Sequence, residues 1–86
     1  MIAGYVLIQT EIGKATSVAV ALRELPGVSA ATSVAGPYDV IARAEALTID
    51  QLGSLVTCRI QTVGGVLRTI TCPVISRSEA GPDSSS

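Results

Sequence analysis

Histidine, tryptophan and phenylalanine are absent from this 86-residue sequence, and two tyrosines are its only aromatic residues. Without histidine, the commonest general base and metal ligand is missing, and no nucleophile stands beside a recognisable base. Paired carboxylates in a catalytic motif are lacking, as is a glycine-rich phosphate loop; Gly13-Lys14 is only a fragment of one and reads as an ordinary helix start. The pattern predicts a protein that is not an enzyme and holds no metal or cofactor. Cysteine is scarce too. Cys58 and Cys72 form no C-x-x-C pair and are expected to be reduced, mostly buried thiols.

Basic charge is sparse and scattered. Lys14, Arg23, Arg43, Arg59, Arg68 and Arg77 stand singly in a chain of net charge −1, so no basic stripe is available to neutralise phosphates and direct nucleic-acid binding is not expected. No apolar run reaches the length of a membrane span, and residues 1–9 lack the charged start and cleavage site of a signal peptide. A cytoplasmic protein with no membrane partner is the expectation.

What the chain does have is aliphatic side chains: 48% of its residues are hydrophobic. At this length one domain is expected, with a thin core of Val, Ile, Leu and Ala that is marginal for a single copy. Ile2 to Gln9 reads as a strand. Ala15, Val18, Ala19, Leu22 and Leu25 recur at the spacing of one helical face, which Pro26-Gly27 ends. Val28 to Ala35 and Tyr38 to Ala46 read as a hairpin turning at Gly36-Pro37. Thr48 with Gln51 has the form of a capping box opening a second helix, whose apolar face is Ile49, Leu52, Leu55 or Val56, Ile60 and Val63. Gly64-Gly65 stops that helix, and Val66 to Val74 makes the last strand. The order β-α-β-β-α-β predicts an α+β, ferredoxin-like domain: a four-stranded antiparallel sheet with both helices on one face. Residues 1–75 form that domain, and 76–86, with Gly81, Pro82 and terminal serines, are expected to be a disordered tail.

A sheet covered on one face should be polar on the other, and here it is not. With Val6, Ile8, Val40 and Ile70 placed inside, Tyr5, Leu7, Ile41 and Leu67 are left outside, an apolar patch that a second copy would cover. A dimer packed sheet to sheet, a dimeric α+β barrel, follows as the expectation.

The stretch Gly36-Pro37-Tyr38-Asp39-Val40-Ile41 carries the most chemical information. It sets a turn, a phenol and a carboxylate before an apolar strand. Asp39 can accept from an ammonium or from the turn itself. Gly36 allows close backbone approach or simply a tight turn, and Tyr38 offers a pocket wall or core packing. Thr69 and Thr71 present hydroxyls to one side of the last strand, where they could bond a ligand or a carboxylate from a neighbouring subunit, though β-propensity alone explains threonine there. Arg43 and Arg68 could meet a ligand carboxylate or be solvated strand ends.

Taken with Leu25-Pro26-Gly27-Val28 and Arg68-Thr69-Ile70-Thr71, this stretch resembles the effector-binding half, or RAM domain, of the Lrp/AsnC family of feast/famine regulators. The resemblance spans about Ile2 to Ile75, and its most specific element is Gly-x-Tyr-Asp. It implies a regulatory module that binds an amino acid or related small metabolite between dimers of a ring, commonly a tetramer of dimers, near Gly36, Tyr38 and Asp39. The family's helix-turn-helix domain has no counterpart in this sequence, so a stand-alone RAM protein is the expectation, acting on transcription through a partner such as a full-length Lrp-type regulator. A small dimeric α+β-barrel oxygenase or isomerase is an alternative, though such enzymes often use His, Asn or Trp, none of which is present. An ACT-like regulatory domain is another, with the same element order.

Overall fold

The computed structural model describes residues 1–75; the expected tail at 76–86 lies outside the described residues. Strand β1 (Ile2–Thr10) leads to helix α1 (Ala15–Arg23), then β2 (Val28–Ser33) and β3 (Val40–Ala46). Helix α2 (Ile49–Leu55) continues as a π-helical turn over Val56–Ile60, and β4 (Val66–Pro73) closes the order. The strands form one antiparallel sheet in the order β2-β3-β1-β4, the ferredoxin-like arrangement.

Helical periodicity selects the buried residues. Val18, Ala19 and Leu22 of α1 and Leu52, Val56 and Ile60 of the second helical segment are buried against Val6, Ile8, Ala31, Val40, Ala42 and Ala44 of the sheet. Small residues on the sheet let the helices approach. A Cβ built on Gly4 would lie 2.9 Å from Leu52 Cδ2 and 3.4 Å from Pro73 Cα, so α2 packs directly onto the backbone of β1. Ile49, expected on the buried face, is exposed; it is the first residue of α2.

The cap of α2 forms as its sequence pattern indicates. Gln51 N donates to Thr48 Oγ1 at 3.1 Å, while Gln51 Oε1 accepts from Leu47 N at 3.2 Å, one residue earlier than in the usual reciprocal box. The π turn is closed by Gln61 N donating to Val56 O at 2.9 Å. Val56 and Ile60 are both buried on the core side.

Three further expectations change. The hairpin is looser: β2 ends at Ser33 and β3 begins at Val40, leaving Val34 to Asp39 as a loop. Ile70 faces away from the helices. It pairs with Leu7 across β1–β4, and Leu7 alternates with the buried Val6 and Ile8, so Ile70 belongs to the outer face. Finally, Cys58 and Cys72 are free but exposed; Cys58 lies on the solvent side of the π turn, and Cys72 stands opposite Tyr5 on the outer face.

Candidate functional site

Asp39 is the best-connected residue of the β2–β3 loop. Its N–H donates to Ile8 O at 2.9 Å and its carbonyl accepts from Val34 N at 2.8 Å. Its carboxylate Oδ2 accepts the backbone N–H of Thr10 at 2.8 Å. The reason lies in strand length. Val40, the first residue of β3, is opposite Ile8, so β1 runs on past its neighbour and Thr10 has no strand carbonyl on that side. The aspartate side chain supplies the missing acceptor. A second tether joins the same elements: Gln9 Nε2 donates to Pro37 O at 3.2 Å.

The loop is therefore pinned to the end of β1 while its tip stays open. Gly36 has φ +151° and nothing within 4 Å of where a Cβ would sit. Tyr38 is half-buried beside it. The carboxylate oxygen Oδ1 of Asp39 makes no hydrogen bond among the described residues. Gly36, Tyr38 and Asp39 are thus brought together at one end of the sheet.

The outer sheet face borders this loop. Ile41, Leu7 and Ile70 lie in one row across β3, β1 and β4; Arg43, Tyr5 and Cys72 form the next. Tyr5 and Ile41 are exposed and Leu7 is half-buried. Leu67 is the unpaired residue where the register shifts between Arg68 and Val66; it is 63% exposed but outside the row that carries Leu7, Ile41 and Ile70. Arg43 is ion-paired with Glu45 of its own strand. Hydrogen bonding to Glu45, then to Tyr5, raises the Arg43 guanidinium above its ordinary range.

Thr69 and Thr71 do not join the loop on this face. They pair with Ile8 and Val6, and that register turns both toward the helix side. Thr69 Oγ1 accepts from Gln61 Nε2 at 2.9 Å, which ties β4 to the end of the helical segment. Thr71 lies further along the strand, away from the loop.

Gln9, Thr10 and Arg68 border the site, and sequence reasoning did not place the first two there. Their only signal is that polar residues end an otherwise apolar strand, which marks a boundary without naming a partner. Among the described residues, open depressions also lie elsewhere. One of about 340 Å³ is lined by Pro26, Gln51, Ser54, Leu55, Cys58 and Arg59; another, about 260 Å³, is lined by Met1, Gly27, Val28, Ser29 and Glu45. Among the described residues no three His, Cys, Asp or Glu side chains gather as a metal site would require, and no helix is long and apolar enough to cross a membrane.

The chain belongs to the Lrp/AsnC ligand-binding domain family, whose model matches residues 3–82. Among solved structures, it is similar to TTHA0845 from Thermus thermophilus, with 34% identity and a TM-score of 0.82 over 88% of this chain and 95% of that one. The hypothetical protein PHS023 from Pyrococcus horikoshii aligns with 30% identity and a TM-score of 0.81, over 88% of this chain and 92% of its own. The transcriptional regulator NMB0573 from Neisseria meningitidis, solved as a complex with L-Met, shares the fold at 15% identity, with a TM-score of 0.77 over 88% of this chain and 51% of that one. No curated protein matches the chain. By family, this is a regulatory ligand-binding module.

Proposed function

We propose that this chain senses an amino acid or related small metabolite at the Gly36–Asp39 loop and passes the signal on through its assembly state or a partner regulator. The observation that carries the reading is the pinned loop. Asp39 is held by Thr10 through one carboxylate oxygen, which leaves the other free to accept from an ammonium without reorganising the backbone. The open space above Gly36 admits a ligand against the main chain, with Tyr38 as an adjacent wall. In the Neisseria regulator of the same fold the bound molecule is L-Met, which supports an amino acid here. Thr69 and Thr71, turned toward the helices, are strand residues in this reading.

The outer sheet face supports the assembly part of the proposal. Tyr5, Leu7 and Ile41, joined by Ile70, form an apolar patch on that face across three strands, bordered by Arg43. Covering it against a second copy removes several hundred Å² of apolar surface at roughly 25 cal/mol per Å². Leu67 sits at the margin of such an interface. Dimers of this kind can associate further into a ring, bringing a neighbour's surface over each Gly36–Asp39 loop, and a full-length Lrp-type regulator is the natural partner for mixed assembly.

A thermal-shift screen of the twenty amino acids at millimolar concentration, on the wild type and on Asp39→Asn, tests the reading. Ligand at a hundred times its dissociation constant adds about 2.7 kcal/mol per site, which moves the midpoint of so small a domain by on the order of ten degrees. A shift with one class of amino acid that is lost in Asp39→Asn supports the sensor; no shift with any of them counts against it.

A further inference from the structure

The two arginines of the outer face differ in what holds them. Arg43 is occupied by Glu45, whereas Arg68 is exposed and, among the described residues, makes no ion pair and donates no hydrogen bond. Its position matters as much as its freedom. Arg68 is the register partner of Gln9 on the β4 side, and Gln9 is tethered on its other side to Pro37. The next residue, Thr10, holds Asp39. Asp39 and Arg68 therefore flank the end of β1 from opposite sides. With strands spaced about 4.8 Å apart, their backbones are separated by roughly 10 Å, a gap that a long arginine side chain largely closes.

This places an acceptor and a planar double donor on either side of a single strand end. An α-amino acid presents the complementary pair, an ammonium and a carboxylate on one carbon. We propose that Arg68 is the residue that recognises the ligand's carboxylate while Asp39 accepts from its ammonium. The site then selects free zwitterionic amino acids over amines and over amino acids whose carboxyl is blocked. A guanidinium suits the task because its planar fork makes two parallel hydrogen bonds to the carboxylate oxygens, a geometry an ammonium lacks. This inference rests on the amino-acid reading of the same loop.

Calorimetric titration of the full chain with the twenty L-amino acids and their C-terminal amides tests it, using the wild type, Arg68→Gln and Arg68→Lys. Arg68 is exposed, and an unchanged unfolding midpoint shows that each variant folds. For wild type, the best-bound amino acid is expected to exceed its amide by about tenfold or more, the loss typical of a hydrogen bond to a charged group. Arg68→Gln should lower affinity for the free acid by a similar factor and leave the amide unaffected; Arg68→Lys should recover part of the difference. If Arg68→Gln keeps the wild-type affinity and the acid-over-amide preference, the assignment of Arg68 is overturned while the amino-acid reading stands. If none of the twenty binds the wild type, both fall together.

Discussion

The backbone amide of Thr10 donates to the carboxylate of Asp39 at 2.8 Å, so the residue proposed to meet a ligand also completes the hydrogen bonding at the end of β1. One carboxylate oxygen serves the fold, while the other makes no hydrogen bond among the described residues. Mutating Asp39 affects both roles, and the choice of replacement separates them.

Asp39→Ala removes the acceptor from a half-buried amide and should cost about 1–3 kcal/mol of stability. Asp39→Asn keeps an oxygen for Thr10 and should cost less, while losing the negative charge that an ammonium requires. Urea unfolding of both variants, set beside ligand titration, checks the separation. Equal stability loss in the two would show that charge rather than the hydrogen bond holds the loop.

Ile41→Glu places a charge in the middle of the outer face, beside Leu7. If the sheets pack on each other, the dimer should dissociate at micromolar protein, as read by sedimentation velocity. The chain should keep its helical circular dichroism, because Ile41 points away from the core. An unchanged sedimentation coefficient would remove the sheet-to-sheet interface.

The cysteines test the proposed sheet-to-sheet packing from two sides. Cys72 stands opposite Tyr5 on the outer face, whereas Cys58 lies on the helix side in an open depression. If the sheets pack on each other, Cys58 should react quickly with a thiol reagent and Cys72 slowly. Ile41→Glu should bring the two rates together. Two fast thiols in the wild type would mean that the outer face is open.

Gly4→Val should destabilise the chain by about 1–3 kcal/mol through overpacking, since even a single added Cβ lies 2.9 Å from Leu52 Cδ2. Gly4→Ala should cost less because the Leu52 methyl can shift. Thr48→Ala removes the helix cap and should cost about 1 kcal/mol. Chemical denaturation of the three variants ranks them.

Local pattern alone determined a good part of this protein. The buried face of α1, the Thr48–Gln51 cap and the order of elements all follow from neighbours within a few residues, where spacing and side-chain chemistry act without help from the rest of the chain, whereas the helical segments end at Arg23 and Ile60, short of the expected glycine stops. The Gly36–Asp39 segment was also legible as the place to look for a site. The tertiary structure decided what depends on pairing. In β4, one alternation carries Thr69 and Thr71 and the other carries Arg68, Ile70 and Cys72, and neither is plainly the core side. A one-residue slip exchanges the two sets, and the register shift at Leu67 sets the phase. That choice sent Ile70 and Arg68 outward and turned the threonines toward the helices. The same holds for Asp39: its carboxylate goes to Thr10, twenty-nine residues away, because β1 extends past β3, a difference in strand length that appears only when the strands lie side by side.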